Sequence, residues 1–490
     1  MVIDLLEEDE VVSTSELASR VAASRGISRP AARAWLFRNL KNDHALWVSD
    51  GLRLSRNARL VGRRNGQTSK WYQGVADALK KVGRHGIGRT ISYIDQHGPT
   101  NFGTLARLLA APIDTGVALS KPIIEREFSA LLEVPDLVVQ FDDSPHQCVC
   151  KLEHSRGLRP HSLSLQSRAH DIVALIAVRL LKSTSFLSYS YSHKGVDDYS
   201  NAVHNQYSYS QVERSWVGPL AHRSKSDTLV PTPVVVDGYA HEVSEIEVSA
   251  LMEKLGRSSS GFKKPIVGVL AAPGFTPDGF NAAKNSRIIA IPLAHVFGQV
   301  VREMLELIEA VRARPIDQAT EQLVQLFSFA GESPLLVDLK SLAFEALAGL
   351  YVAVQGYNSH LTIGLKAPFN QTYREADAFG VIPNGTQAYI VECKAFGRNV
   401  ELEEGDVSKF FTETVPAVIR NTKEKYNIDT YRAELWTTGS VSADARAKFE
   451  SIRVKQYVSK DLLDHERVMS QISNAPGLRR LGDLIRTISA

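Results

Sequence analysis

Asp377 and the triplet Glu392-Cys393-Lys394 are the residues of this chain whose types and spacing could do chemistry together. The stretch between them is apolar on both sides of Pro383-Asn384-Gly385-Thr386, the composition of two strands joined by a tight turn. Such a hairpin lets a carboxylate entering the first strand, Asp377, meet one closing the second, Glu392. Two hard oxygen ligands at a strand edge suit Mg²⁺, which retains several waters and can share phosphate oxygens of a substrate. Lys394, two residues beyond Glu392, projects from the same strand face. A divalent cation with a lysine beside it is enough to activate water against a phosphodiester.

Acid-x-Lys triplets also occur on exposed strands, where alternation simply turns polar residues outward. Ala388-Tyr389-Ile390-Val391 is apolar at every position, however, which is the pattern of a strand buried on both faces. A Glu and a Lys ending such a strand are partly desolvated and need a partner or a task. The surrounding elements can be read from periodicity. Apolar residues at 335, 336, 339, 342, 343, 346, 347 and 350 predict a core-facing helix over 335–354 with Glu345 on its flank. A helix over 407–419, a strand from Arg432 into the Thr437-Thr438-Gly439 loop, a helix over 442–450 and a strand over 452–458 follow.

This order of elements, with an Asp on one strand and Glu-x-Lys on the next, resembles the PD-(D/E)xK restriction-endonuclease-like superfamily, and its Mrr-like branch in particular. The resemblance covers about residues 335 to 465. It implies a magnesium site held by Asp377 and Glu392, with Mn²⁺ as a possible substitute. Lys394 then orients or deprotonates the attacking water, and Glu345 supplies another acid. Ala376 stands where the motif's proline would be.

The same template fits upstream, which predicts an internal duplication. A helix over 162–181, a hairpin over 232–248 turning through Asp237-Gly238, a strand over 265–274, a helix over 275–284 and a strand over 287–293 repeat the order. Matching Glu245 to Glu392 puts Glu247 at the lysine position and Thr232 near the aspartate position. That exchange adds repulsion toward a phosphate, so the first copy is expected to be degenerate. A counter-reading recruits Asp197, Asp198 or Asp227 to Glu245. Between helix and hairpin, Ser188-Tyr189-Ser190-Tyr191-Ser192 and Tyr207-Ser208-Tyr209-Ser210 alternate strictly. They are expected to form an inserted hairpin over the sheet, with an aromatic platform for unpaired bases as the functional alternative.

The amino-terminal third is strongly basic. Residues 20–90 hold sixteen Lys and Arg against three acids, a balance of +13, so the remainder sums to about −10 for a total of +3. A helix opening at Ser13-Thr14-Ser15-Glu16, a second over 30–41, and strands 46–48 and 52–54 joined by Asp50-Gly51 resemble a winged helix-turn-helix. Arg29, Arg33 and Arg38 on the second helix, with Arg53, Arg56, Arg63 and Arg64 on and beyond the wing, are the candidate DNA contacts. A second winged-helix unit is read over residues 85–152, with a nearly neutral recognition helix. Cys148 and Cys150 lack the companions of a zinc site and read as packing.

The expected fold is thus multidomain α/β and α+β. It comprises winged-helix units over 1–66 and 67–155, a degenerate PD-(D/E)xK core over 160–305, a helical linker over 306–334, a PD-(D/E)xK core over 335–466, and a basic helical tail over 467–490. The function it implies is an Mg²⁺-dependent DNA endonuclease of restriction or phage-defence type, acting on double-stranded DNA as a homodimer, with or without partner subunits. The alternative is a non-catalytic DNA-binding regulator with relic nuclease cores. No apolar run approaches a membrane span, and three cysteines suggest a reducing compartment, so a cytoplasmic location without membrane contact is expected.

Overall fold

The computed structural model describes residues 2–40, 43–49, 59–64, 68–113, 123–140, 147–155, 160–189, 201–217, 222–223, 229–262, 266–298, 301–302, 305, 337–370, 372–395, 400–475 and 478. The chain is a multidomain mixed α/β protein built on several separate sheets. Among the described residues no helix is long and apolar enough to cross a membrane.

Two small units at the amino end share one plan. In the first, strand Val11–Ser13 leads into helices Thr14–Arg25 and Arg29–Leu40 and strands Leu46–Val48 and Leu60–Arg63. Ser13 caps the first helix by accepting the Glu16 amide (3.1 Å), and Gly26 at φ +63° ends it. In the second, helices Ser69–Lys81 and His85–His97 precede strand Thr100–Asn101, helices Phe102–Leu109 and Ile123–Leu131, and strands Leu137–Gln140 and Cys148–Lys151. In both sheets the last strand lies between the other two.

Leu46–Val48 pairs with Leu60–Arg63, and residues 50–58, which hold the expected strand 52–54 with Asp50, Arg53 and Arg56, lie outside the described residues. Leu60 and Val61 are both fully buried, on opposite faces of their strand and in two different apolar clusters.

Two larger α/β cores follow, and they share a topology. The carboxy-terminal core is a five-stranded sheet in the order Ser359–Phe369, Thr372–Val381, Gln387–Lys394, Thr430–Thr437, Val458–Leu463. Its first two pairings are antiparallel and the others parallel. The upstream core runs Gln211–Ser215, Thr232–Gly238, Val267–Ala272, Ile289–Pro292, with one antiparallel pairing followed by two parallel ones. Four strands thus recur in the same order and sense in the two cores, as the expected duplication requires. Helices Pro160–Ser183 and Val337–Val354 pack against each other, and a single apolar cluster with Val173, Val236, Leu347 and Val391 joins the two cores.

Several expected boundaries move. The last strand of the carboxy-terminal core is Val458–Leu463, not 452–458. The helix after Lys394 runs from Glu404 to Tyr426 through a π turn at Phe410–Thr414. Thr232–Gly238 is one strand rather than the first arm of a hairpin, and Glu245 opens the helix Glu245–Phe262. Tyr207 and Tyr209 are buried, so that half of the alternating segment offers no platform for bases, while residues 190–200, with Asp197 and Asp198, lie outside the described residues. Asp227, the linker over 306–334 and the tail arginines 479, 480 and 486 also lie outside them.

Candidate active site

The carboxylates gather where two strands part. Pro383-Asn384-Gly385 makes the turn, with Gly385 at φ +77° and its amide donating to Ile382 O (2.9 Å). From there Thr372–Val381 and Gln387–Lys394 pair from Val381↔Ala388 only as far as Ala378↔Val391. Beyond that point the Cys393 amide is no longer matched by the neighbouring backbone, and Asp377 Oδ2 accepts it at 2.6 Å. Asp377 thus sits in mid-strand at a fork, rather than entering the strand as the sequence suggests.

Glu392 and Lys394 share one face of their strand. Lys394 Nζ donates to Glu392 Oε1 (2.9 Å), while Glu392 Oε2 is buried without a hydrogen-bond partner among the described residues. Buried Glu434 offers a contrast. It accepts from Tyr389 OH (2.6 Å), Trp436 Nε1 (2.8 Å) and Arg432 Nε (2.7 Å), the fully satisfied pattern of a structural acid. Glu392 keeps an acceptor unsatisfied near the end of its strand, which a cation would satisfy.

Glu345 comes from helix Val337–Val354 and is buried, as is Asp377. Burial, offset by Arg168 and reinforced by Glu375 and Glu392, pushes the Glu345 carboxyl up to about 7. Burial and the neighbouring Glu345 and Glu392 push Asp377 well above the usual carboxylate range, and burial raises Glu392 as well. Burial works against the Lys394 ammonium, but Glu392 and Asp377 outweigh it and hold its pKa above the ordinary value. Lys394 is therefore charged, suited to orienting water and offsetting negative charge rather than to accepting a proton.

Glu345, Asp377 and Glu392 interact, yet they are not drawn into a closed ligand set. Among the described residues, the one group of three with ligand atoms all within 4.8 Å is His97, His241 and Glu247. The mutual repulsion of the three acids is answered instead by Arg168, from the helix Pro160–Ser183 of the other core. Its Nη2 lies 2.5 Å from Glu345 Oε2, and its Nη1 pairs with Glu375. Gly364, beside Arg168 on the neighbouring strand, sits at φ +72°, a backbone conformation that other residues rarely adopt. Sequence reasoning missed Arg168, because no local spacing marks a partner 207 residues from Glu375. Glu375 was findable as the residue two before Asp377 on the same strand.

Raised carboxyl groups have a consequence for stability. Glu345 keeps its proton above the unfolded value of 4.5, so its contribution is full below that pH and is lost as pH rises through about 7. A divalent cation bound at these acids would displace those protons, so its binding would strengthen as pH rises. The thermal midpoint should therefore gain more from Mg²⁺ at pH 8 than at pH 6. A gain independent of pH would place the cation away from these acids.

The upstream core carries the same fork with different residues. Asp237 pairs with Leu270 as Glu392 pairs with Leu435, each four residues before the glycine that follows the parallel strand, Gly274 or Gly439. Asp237, not Glu245, is thus the counterpart of Glu392, and Tyr239 rather than Glu247 takes the place of Lys394. Ser210 takes the place of Asp377, with its Oγ accepting the Gly238 amide at 3.1 Å. Lys254 Nζ lies 2.6 Å from Asp237 Oδ2, both fully buried, and the Arg107 guanidinium bonds Ser210 Oγ. Built-in cations fill this copy.

The arginines assigned to DNA separate into groups. Arg29, Arg33 and Arg38 lie on helix Arg29–Leu40, beside exposed Phe37, and all three are exposed. Arg64 is exposed as well. Arg63 is instead tied to the amino-terminal turn, donating to Ile3 O (3.2 Å) and Leu6 O (2.5 Å), so it is a structural residue. The chain matches no family model, no curated protein and no solved structure.

Proposed function

We propose that the chain is a metal-dependent DNA endonuclease whose carboxy-terminal core hydrolyses phosphodiesters. One observation carries this reading: Asp377, Glu392 and Lys394 meet at the open fork of the sheet, and Glu392 retains a buried acceptor that no described side chain satisfies. Asp377 and Glu392 would hold Mg²⁺ or Mn²⁺, with Glu345 behind them. The cation would supply Lewis-acid stabilisation of the phosphate and a more acidic bound water. Lys394, as an ammonium, orients the attacking water and offsets charge on the phosphoryl oxygens. The attacking water gives up a proton to solvent as its oxygen bonds to phosphorus, the bridging P–O bond breaks, and the leaving oxygen takes up a proton from solvent. Arg168 balances Glu345 and Glu375, which keeps the acids from repelling the substrate.

The first small unit supports DNA as the substrate. Its helix Arg29–Leu40 presents Arg29, Arg33 and Arg38 to solvent in the most basic part of the chain. On this reading it is a winged helix with that helix toward the duplex, and the upstream core is a degenerate nuclease used for packing and positioning. Cutting both strands then calls for two copies of the chain.

Replacing Arg33 and Arg38 together by Ala should weaken duplex binding and flatten its salt dependence, the slope falling by about 0.9 for each phosphate no longer neutralised. Anisotropy titrations across salt concentrations measure this. An unchanged slope would remove this helix from the interface. Plasmid cleavage with Mg²⁺ or Mn²⁺ tests the activity itself.

A further inference from the structure

His97, His241 and Glu247 converge from three separate elements. His97 is the last residue of helix His85–His97 in the second small unit, followed by Gly98 at φ +75°. His241 follows the strand Thr232–Gly238 of the upstream core, and Glu247 stands in the first turn of helix Glu245–Phe262. Glu247 is wholly buried; the two imidazoles keep partial exposure at 21% and 17%.

The carboxylate is fixed by its own helix end. Glu247 Oε2 accepts from the Ser244 amide and from Ser244 Oγ, both at 2.8 Å. That leaves Oε1 toward the imidazoles, 3.0 Å from His241 Nε2 and 3.7 Å from His97 Nε2. Donor atoms around a tetrahedral zinc ion, with bonds of about 2.0–2.1 Å, lie about 3.3–3.5 Å apart. The observed separations bracket that value.

Charge leads to the same place. The imidazole rings lie tilted with centroids 3.9 Å apart, a distance at which two imidazolium ions would repel strongly beside a single carboxylate. Two neutral imidazoles and one carboxylate are a donor set that a dication can take up, in place of the hydrogen bond His241 makes to Glu247. His170, in edge contact with His241, is excluded as a ligand: its Nδ1 accepts the Ala240 amide (2.9 Å), so its proton is on Nε2.

We propose that His97, His241 and Glu247 form a zinc-class transition-metal site that clamps the second small unit onto the upstream core. Two nitrogens and one oxygen favour zinc or cobalt over magnesium. Three protein ligands leave a fourth position for water. The Ser244 donors orient Glu247 as outer-shell groups do. The clamp continues a contact already made by Arg89, which pairs with Glu253 (2.7 Å) and donates to Leu108 O (3.1 Å). It is separate from the acid fork at Asp377 and does not depend on nuclease activity.

The test uses full-length protein stripped with a chelator, then titrated with Zn²⁺ against a chromophoric chelator and with Co²⁺ by visible absorption. Wild type should take up about one equivalent, with a tetrahedral cobalt spectrum lacking thiolate charge transfer. His97→Ala and His241→Ala should each lose at least about tenfold in affinity, and Zn²⁺ should raise the thermal midpoint of wild type but not of the variants. Lys394→Ala should bind zinc as wild type does. Absence of uptake by wild type, or equal uptake by folded His97→Ala, would overturn the site. A thiolate band would reassign the metal to Cys148 and Cys150. Should His241→Ala not fold, His97→Ala and the wild-type cobalt spectrum still decide.

Discussion

Lys394→Ala should lower Mg²⁺-dependent cleavage of plasmid DNA by on the order of 10²–10³-fold while the protein stays folded and bound to DNA. The separation of effects follows from where the lysine sits. Its side chain keeps 26% exposure at the last position of a strand, and it pairs with Glu392. The apolar core of the strand, Ala388 to Val391, is untouched by the change. What is removed is the positive charge beside the carboxylate expected to hold the cation. Glu392→Gln should be equally inactive while keeping the shape of the strand end. Asp377→Asn should also be inactive, though its Oδ atom can still accept the Cys393 amide. The assay is conversion of supercoiled plasmid, with binding followed separately. Persistent cutting by Lys394→Ala would sink the assignment of chemistry to this core. If wild type binds duplex yet leaves it intact under all metals, the relic-core regulator becomes the better account.

Legibility of this site in the sequence was uneven for identifiable reasons. Asp377, Glu392 and Lys394 could be read because a buried strand ending in charge breaks its own pattern. The upstream copy was misaligned because Asp237-Gly238 has the composition of a hairpin turn. Its glycine serves another purpose: a Cβ at Gly238 would lie 2.5 Å from Ala174 N and 2.6 Å from His170 O, so only glycine lets the helix approach the strand. Asp-Gly was a packing requirement with the appearance of a turn. In the same way Ile452-Arg453-Val454 alternates like a strand, but those residues sit before Val458–Leu463, and Ile452 and Val454 pack partly buried against the sheet's other cluster. Arg168 and the His97–His241–Glu247 cluster depend on contacts between distant elements, and no periodicity encodes those.

Lys254→Met should be among the most damaging single changes to stability, costing about 3–5 kcal/mol. Asp237 and Lys254 are both fully buried, and Lys254 Nζ also donates to Ser208 O at 2.8 Å. Burial pulls the Lys254 ammonium down to about 8 against the hold of Asp237, so it remains charged at neutral pH. Removing it leaves a buried carboxylate that, among the described residues, keeps the Ser210 amide (3.0 Å) as a close donor, with Arg107 nearby. The thermal midpoint should fall by roughly 10 °C. Adding Asp237→Asn should recover most of that stability, because the penalty lies in the orphaned charge rather than in the missing interaction. If the double variant is as unstable as the single one, the ion pair is not what holds this fork. The same pair of variants bears on catalysis. Lys254 occupies, in this copy, the neighbourhood that a cation is proposed to occupy beside Glu392, so a folded double variant should cut DNA as wild type does. Abolished cutting there, with Lys394→Ala still active, would move the chemistry to the upstream core.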